Sequence, residues 1–505
     1  MLKITFNIVF LVVVLVANSQ HYFYGDNQRL FQLESSIYQS DENKHSIIKP
    51  YNFKVANQKS FKDSSFQSGV WAYGSDLNDK KAVILPVIEA NFLNSPYENN
   101  SYLSTGIGAQ FECNLNPRIS LYSRYVYRRG SLSNYSLDRT HNRSTVQGYG
   151  LLTDSTNQFQ IHQLDFNVSA TLNKYILFSA GKGKNFFGDG YRSLLLSDFA
   201  PSYPYIRIES EFWNVKYVNL YSMHEDHYNG GKKKKFSSAH ILSWNITKAI
   251  NLSVFESVVW AGKDSLNQRN FDVNYLNPIV FFRPVEYSIG SADNSFLGAN
   301  LKVRIFKKHI LYGQLILDEF LLKELKSGEG WWANKYGFQF GYKAFHLFNI
   351  QGLGAQIEYN EVRPFTYSHF SSLQNYGHMN QSLAHPLESN FKELLIRLRY
   401  QKNNFNLELN YAHQRHGANT YGNYGGDMFS SYATRLSEYN HRTLQGNLNK
   451  ANFFSALVSY QLISKSNTTL FSKVVFRINN NQLIENELLF SFGIKSNLWN
   501  TYSDY

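Results

Sequence analysis

Apolar and polar residues alternate singly along much of this chain, the two-residue period of strands with two unlike faces. Between 334 and 343, Tyr336, Phe338, Phe340 and Tyr342 fall on one face, and Lys335, Gly337, Gln339, Gly341 and Lys343 on the other. The same rhythm sets Leu103, Ile107, Ala109, Phe111 and Cys113 against Ser104, Gly106, Gly108, Gln110 and Glu112. It predicts eighteen strands, at 82–92, 102–113, 117–128, 159–170, 174–182, 203–210, 214–222, 237–246, 250–260, 295–305, 309–321, 334–345, 349–360, 391–401, 404–414, 451–462, 467–477 and 484–496. Eight links are tight: 114–116, 171–173, 211–213, 247–249, 306–308, 346–348, 402–403 and 463–466. Those between them are mostly long, notably 129–158, 183–202, 261–294, 361–390 and 415–450. A soluble β-sandwich also alternates, but it has no reason to gather its long links at one end. Short and long links in alternation, with an even strand count, predict an all-β fold: a transmembrane antiparallel outer-membrane β-barrel of about 18 strands, with 16 and 20 the alternative counts.

The start of the chain reads differently. Met1-Leu2-Lys3, an apolar run from Ile4 to Ala17 and the small residues up to Ser19 predict a secretory signal peptide over 1–19. Residues 20–81 lack the alternation and are expected to form a periplasmic segment, a small plug or lid. Within it Gln28–Tyr38 makes a short amphipathic helix, and the remainder is irregular. The barrel then occupies 82–505. No later apolar run approaches the roughly 20 residues that a membrane-spanning helix needs. The 36 Tyr, 39 Phe and 7 Trp suit a lipid-facing wall, and the single cysteine, Cys113, has no partner for an internal disulfide. A net charge of +12 would admit nucleic acid, but an exported chain with scattered basic residues excludes it as a partner.

In a barrel the polar face is the lumen. Alternation turns Arg124, Arg128, Arg207, Lys302, Arg304, Lys335, Lys343, Arg397, Arg399, Lys473, Arg477 and Lys495 inward, against Glu112, Glu209, Glu408 and Glu487. A lumen so biased attracts anions, unless carboxylates on infolded loops pair with these cations.

Several motifs invite a stronger reading than they support. Residues 181–190, GKGKNFFGDG, resemble a phosphate-binding loop, but Gly188 is followed by Asp189 where such a loop needs lysine. His224-Glu225-Asp226-His227 lacks the helical H-E-x-x-H spacing of a zinc site. Lys232 to Lys235 is a solvated loop tip or a contact for lipopolysaccharide phosphates. Ser197-Asp198 with His385 could be arranged as a hydrolase, but nothing in the sequence requires it. No cofactor, metal or enzymatic activity is expected.

Two blocks carry a family resemblance. Residues 181–208, GKGKNFFGDGYRSLLLSDFAPSYPYIRI, and 359–392, YNEVRPFTYSHFSSLQNYGHMNQSLAHPLESNFK, resemble the capsule-assembly Wzi family, closest to its gliding-motility-associated RemB branch. Residues 68–92, SGVWAYGSDLNDKKAVILPVIEANF, resemble that family's entry into the first strand. The resemblance implies an 18-stranded outer-membrane barrel with a small periplasmic helical element. It further implies a role in holding surface polysaccharide, with surface adhesion and gliding motility, and motility or secretion machinery as partners. The chain departs from the family's pattern near Glu388, where a glycine is expected. Both blocks fall in long external links, and Leu194–Leu196 should tuck into the barrel mouth. Arg363, Tyr367, His369, Tyr376, His378 and His385, with Asp189, Tyr191 and Arg192, are the candidate contacts for an acidic polysaccharide, because aromatic faces beside cations and amides suit sugar rings and their carboxylates. The alternative is that these side chains lock the loops. At the level of function, the alternative is a channel for small anionic solutes.

Overall fold

Alternation becomes geometry in the strand Gln158–Thr171. Gln163, Asp165, Asn167 and Ser169 are at most 5% exposed, whereas Leu164, Phe166 and Val168 are each above 40%. The polar face is therefore enclosed and the apolar face looks out, the inverse of a soluble protein and the pattern of a barrel in lipid.

The computed structural model describes residues 22–23, 27–39, 44–52, 71–73, 82–116, 118–151, 158–228, 231–263, 271–277, 293–463, 467–480, 486–496, 502 and 504. The expected signal peptide lies outside them. The wall is built from β1 (Ala82–Ser95), β2 (Asn100–Asn116), β3 (Ile119–Ser131), β4 (Gln158–Thr171), β5 (Ile176–Gly183), β6 (Tyr203–Phe212), β7 (Val215–Tyr228), β8 (Gly231–Asn245) and β9 (Ile250–Ala261). It continues through β10 (Asn294–Ile305), β11 (His309–Leu317), β12 (Tyr336–Phe345), β13 (Leu353–Val362), β14 (Phe391–Lys402), β15 (Phe405–Ala418), β16 (Asn447–Ile463), β17 (Thr468–Asn479) and β18 (Glu487–Lys495). Each strand pairs antiparallel with the next. The sheet closes where β18 meets β1, from Phe490 opposite Asn94 to Lys495 opposite Glu89. A short strand, Trp71–Tyr73, adds to the start of β1. All eighteen expected strands are present, and the fold is a closed 18-stranded antiparallel barrel of the outer-membrane type.

One expected loop is corrected. Strands β7 and β8 do not stop at 222 and 237 but run on as a paired hairpin to Tyr228 opposite Gly231. His224 and Asp226 consequently face inward and are buried. Lys235 is also fully buried, its ammonium donating to Asp226 at 2.5 Å and to Asn375 Oδ1 at 2.6 Å. The solvated tip is confined to Lys232–Lys234.

The lumen is occupied. Helix α1 (Asn27–Gln39) lies inside, where Leu33, Ile37 and Tyr38 are buried. The wall gives way to it at Gly354, where a Cβ would sit 2.1 Å from the Phe31 ring. The chain expected to be irregular after the helix is instead extended at Ile48-Lys49, which pairs antiparallel with Phe186-Phe187 of the link between β5 and β6. The N-terminal segment thus meets an infolded loop from the opposite end of the barrel.

Candidate functional site

The links 184–202 and 363–390 fold into the mouth and onto each other. Leu194, Leu195 and Leu196 are at most 3% exposed and pack with Phe255, Phe296 and Ile316 of the wall. The Tyr367 hydroxyl donates to the Leu194 carbonyl, and the Tyr376 hydroxyl to the Leu195 carbonyl, each at 2.8 Å. Ser197 donates to the Ala384 carbonyl. A loop with three consecutive leucines needs an apolar seat and partners for its backbone carbonyls, and the second loop supplies both.

Asp189 ties this assembly to the N-terminal segment. It is fully buried and accepts from the hydroxyls of Ser46 at 2.6 Å and Tyr38 at 2.9 Å, and from Asn300 at 2.9 Å. Burial raises its carboxyl, but Lys302 and the Ser46 and Asn300 donors outweigh burial and hold it below the usual aspartate range. Glu34 of α1 is held by Lys49 at 2.6 Å and Lys343 at 2.8 Å. There too burial raises the carboxyl, and the two ammonium groups bring it down to about 2.

Arg192 forms the other buried knot. Its guanidinium reaches Glu393 and Asp504, each at 3.1 Å, and Glu393 also contacts His385 Nε2 at 2.7 Å. Burial lowers the His385 imidazole's affinity for a proton more than Glu393 raises it. Ser197 and His385 are each engaged elsewhere, with no hydrogen bond to one another.

Of the nine candidate polysaccharide contacts, Asp189, Arg192, Tyr367, His369, Tyr376, His378 and His385 are at most 5% exposed. Their hydrogen bonds hold loop to loop and loop to wall. His378 Nδ1, for example, accepts from the Glu225 backbone N–H at 3.1 Å, docking 363–390 on the β7–β8 hairpin. Burial also holds His378 at about 3 and His369 at about 4, so both are neutral at physiological pH. A ligand could touch these seven only if the loops opened. Arg363 and Tyr191 keep exposed surface.

Glu388, where a glycine is expected, adopts a left-handed backbone at φ +64°. The position needs the conformation glycine supplies most cheaply, and here the side chain is itself engaged. Both of its oxygens accept from Arg143 at 2.8 Å, beside Asp427 on the same guanidinium. Two carboxylates sharing one cation are pulled apart: burial and Asp427 push Glu388 up to about 7, whereas Arg143 outweighs burial at Asp427 and holds it low. A carboxyl whose folded pKa lies above its unfolded value of about 4.3 favours the folded loop at acid pH and loses that contribution as pH rises through 7. Hydrogen exchange around 388–390 and 427–429, corrected for intrinsic rates, should show protection about tenfold lower at pH 8 than at pH 5.5. Glu388→Gln should flatten the profile.

The positive bias of the lumen is smaller than alternation implied. Arg128 pairs with Glu89 at 2.7 Å, Arg124 with Asp165 at 3.1 Å, Lys335 with Asp318 at 2.9 Å and Arg477 with Glu487 at 2.6 Å. Glu89 and Asp165 occupy inward positions of their own strands, so the pattern that found the cations also contained these partners. Open space remains along the closing strands: a cavity of about 410 Å³ bordered by β1–β3 and β15–β18. The half-buried aromatics Tyr135, Tyr149, Tyr191 and Phe471 line it, with Arg128, Lys473, Arg477, Lys495, Asn406 and Asn410. Tyr135 lies in α2 (Asn134–Arg143), a helix of the β3–β4 link, and the Arg477 guanidinium stacks 3.6 Å over its ring. No reasoning about the loop motifs alone would have found this wall-lined space.

No protein-family model matches the chain, and no curated protein matches it. Among solved structures, it is similar to Wzi of Escherichia coli, described as an outer-membrane protein involved in group 1 capsule assembly and a carbohydrate-binding β-barrel. The TM-score is 0.58, at 10% identity over 94% of this chain and 98% of that one. OccAB2 of Acinetobacter baumannii (TM-score 0.47, 12% identity, 82% and 97% covered) and opdK of Pseudomonas aeruginosa (TM-score 0.46, 10% identity, 82% and 98% covered) are more loosely similar. At these identities the likeness is one of fold: this chain has the architecture of an outer-membrane barrel.

Proposed function

We propose that the protein resides in the outer membrane and holds acidic polysaccharide at the cell surface, in support of surface adhesion and gliding. The observation that carries this reading is the cavity of about 410 Å³ beneath the β3–β4 link, where half-buried aromatic rings stand beside arginines, lysines and amides. Flat apolar faces stack on sugar rings, while cations and amides take carboxylates and hydroxyls. Its volume falls within the usual range for small-ligand sites. The fold neighbour's carbohydrate binding supports the same reading.

The loop residues enter this function mainly as supports. Tyr149→Ala with Phe471→Ala should weaken polysaccharide retention on intact cells by about tenfold, since an aromatic anchor commonly carries about 1–3 kcal/mol. The amount of folded barrel, read by heat-modifiable gel mobility, should stay unchanged. Retention equal to wild type would sink the cavity as the sugar site. If Arg363→Ala alone abolished retention, the contact would move to the loop surface. A channel for small anionic solutes is the second reading, favoured by the inward arginines and lysines. Steady anion-selective current through the wild-type barrel in a planar bilayer would support it.

A further inference from the structure

The tight turns at one end of the barrel share a chemistry that the cavity and the infolded loops do not use. Trp213, between β6 and β7, is 99% exposed, Phe306, between β10 and β11, is 88% exposed, and Phe348, between β12 and β13, is 82% exposed. Each stands in the left-handed backbone region, at φ +52°, +50° and +53°. Glycine or asparagine adopts that conformation at least cost, and a bulky ring left in water gains nothing within the protein to offset it. Leu172, Ile246 and Leu462, at three further turns, are exposed as well. Cations accompany them. Arg118, Lys174, Lys248, Lys307 and Lys308 lie in the turns, and Lys402 lies beside one. Among the described residues of these turns and the two residues on either side of each, Glu211 is the one carboxylate, 3.8 Å from the Lys216 ammonium. The two kinds of side chain are interleaved. The Lys174 ammonium lies 4.7 Å over the Tyr175 ring, and that ring stacks on Phe212 beside the next turn, with centroids 4.7 Å apart.

Short turns are the ones that outer-membrane barrels keep on the periplasmic side. Here they join strand pairs all round the closed sheet, so apolar tips and cations form a ring and not a patch. A protein partner docks on one face, whereas a lipid leaflet meets the whole circumference. The ring also continues the outward wall: in β4 the exposed positions Leu164, Phe166 and Val168 lead on to Leu172, and in β8 Trp244 leads on to Ile246. Aromatic side chains settle at the level of lipid headgroups, and lysines and arginines there draw anionic lipid. We propose that this rim is seated in the headgroup layer of the inner leaflet and selects anionic phospholipid, of the phosphatidylglycerol type, over zwitterionic phospholipid. The lipid then supplies what offsets the left-handed aromatic tips. The assignment rests on the membrane residence proposed above and is independent of where polysaccharide binds.

The test uses the full-length purified barrel in phosphatidylcholine vesicles with and without phosphatidylglycerol, with heat-modifiable gel mobility reporting insertion. Electron spin resonance of spin-labelled lipids should show phosphatidylglycerol favoured about threefold or more over phosphatidylcholine at the protein surface. The preference should fall towards parity at about 1 M salt, where the screening length is roughly 3 Å. A variant combining Lys174→Gln, Lys248→Gln, Lys307→Gln and Lys402→Gln, all at exposed positions, should insert and lose the preference. The part of the tryptophan emission that Trp213→Phe removes should be quenched in wild type by a spin label at headgroup level. Equal association of the two lipids with wild type, a preference undiminished in the fourfold variant, or Trp213 emission untouched by the label would overturn the assignment. The last result is the one expected of a rim that stands in water, open to an acidic protein partner. A barrel that entered neither kind of vesicle would overturn membrane residence itself, and the lipid ring with it. One that entered both without lipid preference would leave residence standing and refute the ring alone.

Discussion

A Glu34→Gln barrel is expected to leak. The substitution keeps the shape of the side chain but leaves Lys49 and Lys343 buried without their shared carboxylate. Removing one partner of a buried ion pair typically costs about 3–5 kcal/mol. Most of that cost falls on the docking of α1, because Glu34 and Lys49 belong to the N-terminal segment and Lys343 to the wall. Single-channel recording in a planar bilayer should show little current through wild type and frequent openings in the variant. The pH dependence has a definite sign. With a folded pKa of about 2 against about 4.3 unfolded, the Glu34 contribution is complete above pH 5 and is lost as pH falls through 4 towards 2. Wild type should therefore begin to open only in that acid window. Identical currents in variant and wild type at pH 7 would mean that the helix is not what closes the barrel.

Arg192→Met should destabilise the folded protein by about 3–5 kcal/mol, since it strands Glu393 among buried groups. Of the described side chains bonded to Glu393, His385 is the one that can take up a proton to compensate. Its imidazole, held neutral by burial beside Arg192, should take up a proton once that cation is gone. The variant should consequently be most stable at low pH and weaken as pH rises through the new histidine pKa, a profile wild type lacks. Adding Glu393→Gln removes the stranded charge, and the double variant should recover part of the loss, which a double-mutant cycle quantifies. If the single variant melted with wild type, the Arg192–Glu393–Asp504 knot would be incidental to the fold.

The wall was legible because lipid outside and polar lumen inside impose opposite requirements on successive residues. Where that constraint lapses, the pattern fades. Residues 223–236 were expected to be a loop because a hairpin standing clear of the membrane has no need of an apolar outer face, and its charges obscured the strands. The pairing of Ile48-Lys49 with Phe186-Phe187 left no local trace, since two short segments carry no register signal and their contact depends on the closed barrel around them. The aromatic and histidine content of 363–390 signalled importance correctly, but composition does not distinguish a ring offered to a sugar from one whose hydroxyl holds a leucine carbonyl. The cavity along β1–β3 and β15–β18 draws its lining from strands far apart in sequence and meets only after closure.

That closure has a mechanical meaning. Every other neighbouring pair of wall strands is continuous through the chain between them, whereas among the described residues β18 and β1 are joined by six residue pairs, from Phe490–Asn94 to Lys495–Glu89, and by the hydrogen bonds of Ser496 to Ile88 and Pro86. Under tension, or during insertion into a bilayer, this is the one line along which the cylinder can part sideways without any connecting chain to hold its two edges together. The cavity of about 410 Å³ lies against the same line. A long polymer seated there would have a lateral exit towards the lipid, and need not be threaded end-on past the infolded loops.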